Sequence, residues 1–148
     1  MKIKVAWIGK TKEAAIQALA DEYLKRLSRF ADVDGTSLKD EAAVLALCAA
    51  NARPKHVLVL LDVQGRQMAS EEFAKWLGEY QDRSSVPLLF AVGAANGFSE
   101  RARKAATLVL AFGKMTLAHE LARVVLLEQI YRAFTILNRH PYHLGHQS

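Results

Sequence analysis

The strongest constraint on this chain is a pair of short runs that carry almost no polarity. Val57–Leu61 is apolar at every position and is bounded by Pro54 on one side and by Asp62 and Gly65 on the other. Val86–Val92 is a second such run, and it breaks at Gly93-Ala94-Ala95-Asn96-Gly97. A strand with one wet face alternates between apolar and polar residues. A strand that is apolar throughout is covered on both faces, as in a parallel sheet enclosed by helices.

The rest of the chain supplies the other parts of such a fold. Lys2–Ile8 alternates, with Ile3, Val5 and Trp7 on one face, and Gly9 ends it in a strand-to-helix turn. Thr11 is a candidate cap for a helix to about Arg29, whose Ala15, Leu19, Tyr23 and Leu27 fall at helical spacing. Residues 31–39 are polar and turn-like with a short strand among them, and Asp40–Asn51 predicts a helix. Ser70 predicts a further helix start, with Glu71 and Glu72 in the first turn, where the positive end of the helix dipole favours them. Ser99 caps a short helix to about Ala106, and Thr107–Phe112 reads as a strand. The longest helix, from about Ala118 to Leu137, is apolar on nearly every side and carries the pair Glu128 and Arg132. So apolar a helix predicts a covering beyond one small chain, such as a second copy. Strands alternating with helices make residues 1–148 a single α/β domain with a largely parallel sheet.

Charge is unevenly placed. The net charge is +5, yet residues 1–100 hold 13 basic and 13 acidic side chains. The excess lies in the last third, with Arg101, Arg103, Lys104, Lys114, Arg123, Arg132 and Arg139 against Glu120 and Glu128. His119, His140, His143 and His146 lie there too. An anionic partner, RNA foremost, fits that bias. One cysteine, Cys48 in an Ala/Leu run, excludes an internal disulfide and a cysteine-cluster metal site, and reads as core. With no apolar run of membrane-spanning length and no signal-peptide core at the start, the expectation is a cytoplasmic protein.

Several junctions carry chemistry. Gly9-Lys10-Thr11 looks like the end of a P-loop, but the position of that motif's first glycine is Lys4, inside a strand. No Gly-rich dinucleotide fingerprint follows the strand either. Gly93–Gly97 stands where a buried strand gives way to a helix, the place where open α/β sheets bind ligands, and a glycine admits a flat ligand close to the backbone. Its plainer reading is an Asn-Gly turn that needs a positive φ. Phe112-Gly113-Lys114-Met115-Thr116-Leu117 is a similar junction, able to hold an adenine by backbone groups or to serve as a plain connection. The tail His140-Pro141-Tyr142-His143, with Arg139 beside it, concentrates proton-handling groups. No carboxylate or cysteine accompanies the two histidines, so a metal site is not expected. His119, at the start of the long helix, reads as a capping or buried histidine, and His146 as tail.

Taken together, these segments resemble one family. Val92–Gly97, Lys114–His119, Arg123–Phe134 and His140–His143, with Gly9–Lys12, Glu22–Leu27 and Leu60-Leu61-Asp62, are similar to the RlmH (YbeA-type) ribosomal RNA methyltransferases of the SPOUT class. The likeness runs end to end and is weak only over residues 31–55. It implies an α/β fold with a C-terminal trefoil knot, a homodimer, and methyl transfer from S-adenosylmethionine to N3 of a pseudouridine in helix 69 of 23S rRNA in assembled ribosomes. The family's cofactor contacts carry over to Leu61, Gly93 and Phe112, Gly113, Lys114, Met115, Thr116 and Leu117. Ala94 stands where the family commonly has a second glycine, Gly113 where it has serine and Ala118 where it has proline. The rival reading is a non-catalytic RNA- or ribosome-binding factor on the same fold. For the transfer, His143 or Tyr142 would take or relay the N3 proton, His143 being favoured, and Arg139 or Arg132 would stabilise the developing oxyanion or hold phosphate.

Overall fold

The computed structural model describes residues 1–144, with His143 by its backbone alone, so His146 lies outside the described residues. Five parallel strands, β1 (Lys2–Ile8), β2 (Asp32–Leu38), β3 (Val57–Gln67), β4 (Leu88–Val92) and β5 (Leu108–Ala111), form one sheet in the order β2-β1-β4-β3-β5. The two apolar runs take the positions their composition demands. The second is the central strand β4, buried at all five residues, and the first is its neighbour β3.

Alternation along these strands divides the core into two layers. Ile3, Val5, Trp7, Val59, Leu88, Phe90 and Val92 face helices α1 (Ala14–Leu27), α3 (Ser70–Arg83) and α5 (His119–Leu137). Ala6, Leu58, Leu60, Leu89 and Ala91 face the smaller layer of α2 (Glu41–Leu47) and α4 (Glu100–Ala105). Capping follows chemistry on that side: the Asp40 carboxylate accepts from Ala43 N and the Ser99 hydroxyl from Ala102 N.

Three boundaries differ from the sequence reading. First, β3 continues to Gln67. Its register against β5 jumps from Leu61↔Leu110 to Arg66↔Leu110, so Asp62–Gly65 loops out and the strand then resumes. Those polar residues imitate a strand end, and only pairing with β5 shows that they are a bulge. Second, α1 starts at Ala14, and Thr11 does not cap it. The Lys12 and Glu13 N–H groups donate to the Glu120 carboxylate of α5 at 3.0 and 3.1 Å. Third, Ala69 precedes α3 and donates to Glu72, while the Ser70 hydroxyl donates to Gln129 of α5. In the last two cases a tertiary partner outcompetes the local cap.

The long helix α5 is covered within its own chain. Ten of its residues are buried against the sheet, α1 and α3, including Arg123 and Thr135, and its exposed large apolar residues are Leu121 and Leu137. The expectation that its apolar girth requires a second copy is therefore corrected. A helix laid across a sheet between two other helices is wet on a narrow strip only.

Candidate active site

Three loops at the carboxyl edge of the sheet enclose a cleft of about 240 Å³. They are the β3 bulge (Asp62–Gly65), the segment Gly93–Phe98 after β4, and Phe112–Leu117 after β5, with His119 and Ala122 of α5 completing the wall. This is where ligands of open parallel sheets bind.

The bulge and the Gly93–Phe98 segment are locked together by one side chain. The Asp62 carboxylate is almost fully buried and accepts from Gln64 N at 2.9 Å and from Phe98 N at 3.2 Å. Arg103 of α4 lies 3.8 Å from the same carboxylate and donates to the Phe98 carbonyl. Asp62 was visible in sequence only as part of a motif, and no pattern announced its positioning role. Gly97 has φ +74 and its N–H bonds Ala94 O, so the Asn-Gly turn does require a positive φ. A Cβ on Gly93 would stand 3.0 Å from the Phe98 ring, so the backbone runs tight there by necessity.

Of the eight cofactor candidates, Leu61, Gly93, Phe112, Gly113, Met115, Thr116 and Leu117 line the cleft, while Lys114 is exposed and does not. The backbone of residues 113–117 makes no hydrogen bond to other backbone among the described residues, leaving its N–H and C=O groups available to a ligand. Gly113 has φ +145 with open space where a Cβ would point. Ala94 lines the cleft. Ala118 has φ −54, a value proline also adopts. His119 is exposed and lines the cleft, so it is neither the cap nor the buried histidine expected. An apolar slot walled by Leu61, Val92, Phe112 and Leu117, with free backbone groups and one buried carboxylate, fits a nucleoside-bearing cofactor.

The tail occupies a different place. After α5, Arg139 takes φ +56 and the chain turns into a 3-10 turn at Pro141–Leu144. Tyr142 packs edge-on against Tyr131 and donates to Glu128 at 3.0 Å, and its oxygen lies 3.1 Å from that of Tyr23 in α1. Arg132 grips the same Glu128 carboxylate at 2.8 Å and lies over the Tyr142 ring. Burial first, then the Tyr23 and Glu128 contacts, push the Tyr142 phenol well above its ordinary range. At neutral pH it is a hydrogen-bond donor, which argues against its use as a base. His140 Nδ1 accepts from Tyr142 N, in keeping with a role in orienting the tail. The His143 side chain is outside the described residues. None of Arg139, His140 and Tyr142 lines the cleft. Tyr142 docks beside Glu128, about 13 Å of helix rise beyond His119, and Arg139 follows the far end of α5 at Leu137, about 27 Å beyond His119.

Arg123 stood in the sequence only as part of the basic excess and of one family motif, with no role of its own. It is buried in α5 and donates to Thr11 Oγ1 at 2.8 Å and to the Ile8 carbonyl at 3.1 Å. Burial draws its guanidinium below the ordinary arginine range. Cys48 is half-buried rather than deep in the core, and burial pushes its thiol up to about 11. No described helix is long and apolar enough to cross a membrane, and no group of three or more described His, Cys, Asp or Glu side chains could hold a metal.

A parallel five-stranded α/β domain with a cleft at the carboxyl edge of its sheet is an architecture that many cofactor-binding enzymes share. The comparisons name the family. Residues 1–143 match the family described as "Predicted SPOUT methyltransferase", and the chain belongs to it. Similar proteins are named ribosomal RNA large subunit methyltransferase H. The one from Koribacter versatilis (strain Ellin345) is 54% identical over 99% of this chain and 100% of its own. Those from Geotalea daltonii and Geobacter sulfurreducens are 40% and 41% identical, each over 97% of this chain and 99% of its own. The chain is thus an enzyme of the methyltransferase class, and the family implies the knotted C-terminal threading.

Proposed function

We propose that this protein methylates ribosomal RNA of the large subunit, using S-adenosylmethionine, at N3 of a pseudouridine in helix 69 of 23S rRNA, on assembled ribosomes in the cytoplasm. The relatives' shared name and the SPOUT membership support the RNA methyltransferase reading. The finer target rests on the motif resemblance.

Leu61, Gly93 and the Phe112–Leu117 loop would hold the cofactor, with backbone groups of the loop meeting the adenine. Bound there, S-adenosylmethionine supplies an electrophilic methyl group. The chain must then do two further things. It must remove the N3 proton of an imide, and it must stabilise the charge left on the flanking carbonyl oxygens. His143 takes the proton and Arg139 faces the developing oxyanion. Tyr142, locked as a donor to Glu128, holds the tail in place.

The distance between tail and cleft carries the assembly. Tyr142 docks beside Glu128, along α5 from the cleft, and neither it nor Arg139 lines that cleft, which supports a tail that serves a cofactor other than its own chain's. A homodimer allows this, with the tail of one copy completing the cleft of the other. Val63, Met115 and Leu117 are exposed apolar residues around the cleft mouth, a surface such a partner would cover.

The test is transfer of labelled methyl to intact ribosomes and to free subunits, with the modified nucleotide mapped. Incorporation at another nucleotide would overturn the target. Mixing Gly93→Trp chains with His143→Ala chains should restore about a quarter to a half of the activity that each lacks alone, through one intact composite site. No restoration in verified mixed dimers would sink the shared site.

A further inference from the structure

The excess positive charge of the sequence lies after residue 100, but the fold moves two lysines from the other end of the chain to the same edge. Lys10 and Lys12 lie on the turn that follows β1, at the carboxyl edge where the cofactor cleft opens. Both are exposed. Among the described residues neither has an ion-pair partner, whereas Lys4, Arg26, Arg66, Arg103, Lys104 and Arg132 each face a carboxylate.

Two lysines on a loose loop would be an ordinary solvated surface. This turn is held from both sides. Gly9 N donates to Leu38 O at 3.0 Å, and Ser37 Oγ donates to Gly9 O at 2.9 Å. From α5, Arg123 holds Ile8 O and Thr11 Oγ1, while the Glu120 carboxylate accepts from Lys12 N and Glu13 N. The first turn of α5, which holds the β1 turn through Glu120 and Arg123, also gives His119 and Ala122 to the cleft wall, so turn and cleft are fastened to the same end of one helix.

The fastening also adds charge. The hydrogen-bond acceptors of Arg123 are a carbonyl and a hydroxyl, its guanidinium lies 5.6 Å from the centre of the Trp7 ring, and its Nε has no partner. Burying a guanidinium without a carboxylate is costly, and a fully satisfied apolar residue would serve packing better. What the arginine adds is a fixed positive field under an ordered turn that already bears two free ammonium groups. Glu13 and Glu120 offset part of it; Glu120 spends its carboxylate on the turn's backbone.

We propose that Lys10 and Lys12 form a preorganised platform for the phosphate backbone of the RNA substrate, gripping it beside the cofactor cleft. The proposal rests on the reading of an RNA substrate and adds where the chain holds that RNA: on its N-terminal turn as well as on its basic C-terminal third. Because the turn is already ordered, contact costs little further ordering entropy.

The test uses the full-length protein with Lys10→Glu/Lys12→Glu, and Lys55→Glu/Lys75→Glu as a control of equal charge change at exposed positions elsewhere. Ribosome co-sedimentation over a salt series measures binding, calorimetry measures S-adenosylmethionine binding, and labelled methyl incorporation measures turnover. The expected result is unchanged cofactor affinity and ribosome binding about tenfold weaker than in the control. The slope of log affinity against log salt should fall by about two, one for each phosphate that a lysine no longer neutralises. Lys10→Gln/Lys12→Gln should lie between, and serves if the reversal does not fold. Binding and slope equal to the control's would overturn the platform. Wild-type protein that binds ribosomes but transfers no methyl would overturn the proposed reaction instead, leaving the platform judged by binding.

Discussion

Gly65 is where the β3 bulge closes, and a single methyl group there should be felt in both stability and cofactor binding. A Cβ at Gly65 would stand 2.7 Å from the carbonyl carbon of Leu110, 2.8 Å from its nitrogen and 2.8 Å from the carbonyl carbon of Val109. All three are backbone atoms of β5, so no side chain can swing aside. Relief requires β5 to move from β3 by more than half an ångström, against the pairing on either side of the bulge. Overpacking of this kind costs about 3 kcal/mol, the upper part of its usual range, because only backbone can yield. Unfolding entropy scales with chain length, so for 148 residues that cost lowers the melting temperature by about 10 °C. The same shift opens the wall made by Asp62–Gly65, so S-adenosylmethionine affinity should fall as well. Differential scanning calorimetry and titration calorimetry on Gly65→Ala measure both. A contrast comes from Gly78→Ala in α3, where the added Cβ meets only the end of the partly exposed Leu137 side chain, 2.8 Å away. There the helix gains about 1 kcal/mol of propensity to set against moving a flexible group, and stability should change by no more than about that amount. A Gly65→Ala protein melting within about 2 °C of wild type would refute the reasoning.

Three further outcomes follow from the geometry. Asp62→Asn places an amide nitrogen against a backbone N–H at one of two sites that both need an acceptor. It should cost about 1–3 kcal/mol of stability and weaken cofactor binding about tenfold, checked by the same calorimetry. Tyr142→Phe removes the donor to Glu128 and the hydrogen bond with Tyr23. Turnover on ribosomes should drop with cofactor affinity unchanged, and equal turnover would show that the tail needs no latch. The third concerns acid. The Ser99 hydroxyl and N–H hold the Glu41 carboxyl below its ordinary range, and the Glu13 and Lys12 N–H groups do the same for Glu120. Both folded-state values are depressed, so the stabilisation is complete above the ordinary value of 4.5 and is lost as pH falls through the folded values. Melting temperature should therefore decline below about pH 4.5 and do so less steeply in Glu41→Gln; parallel curves would count against it.

The parts of this molecule legible in sequence share one property: neighbouring residues determine them. Apolar runs identified β3 and β4, alternation identified β1, and the Ser99 cap and the positive φ of Gly97 follow from local chemistry. Local spacing left the two glycine loops open between ligand junctions and plain turns; the family resemblance singled out eight cofactor candidates, and seven of them line one cleft. Where a distant group enters, local reading fails. The cap on α1 belongs to Glu120, 107 residues beyond Glu13, and the Ser70 hydroxyl is claimed by Gln129 across 59 residues.

Sequence by itself thus determined the class of fold and the family, and it supplied the candidate residues of the site. Tertiary structure alone decided how the side chains are distributed. It set Asp62 as the tie between two loops and buried Arg123 under the β1 turn. It covered α5 within one chain, and it parted the tail from the cleft along that helix. Hydrophobic periodicity is a local property with a reach of a few residues. The docking of a carboxylate, a guanidinium or a tail depends on which elements the folded chain brings within hydrogen-bond distance, and no spacing along the chain records that.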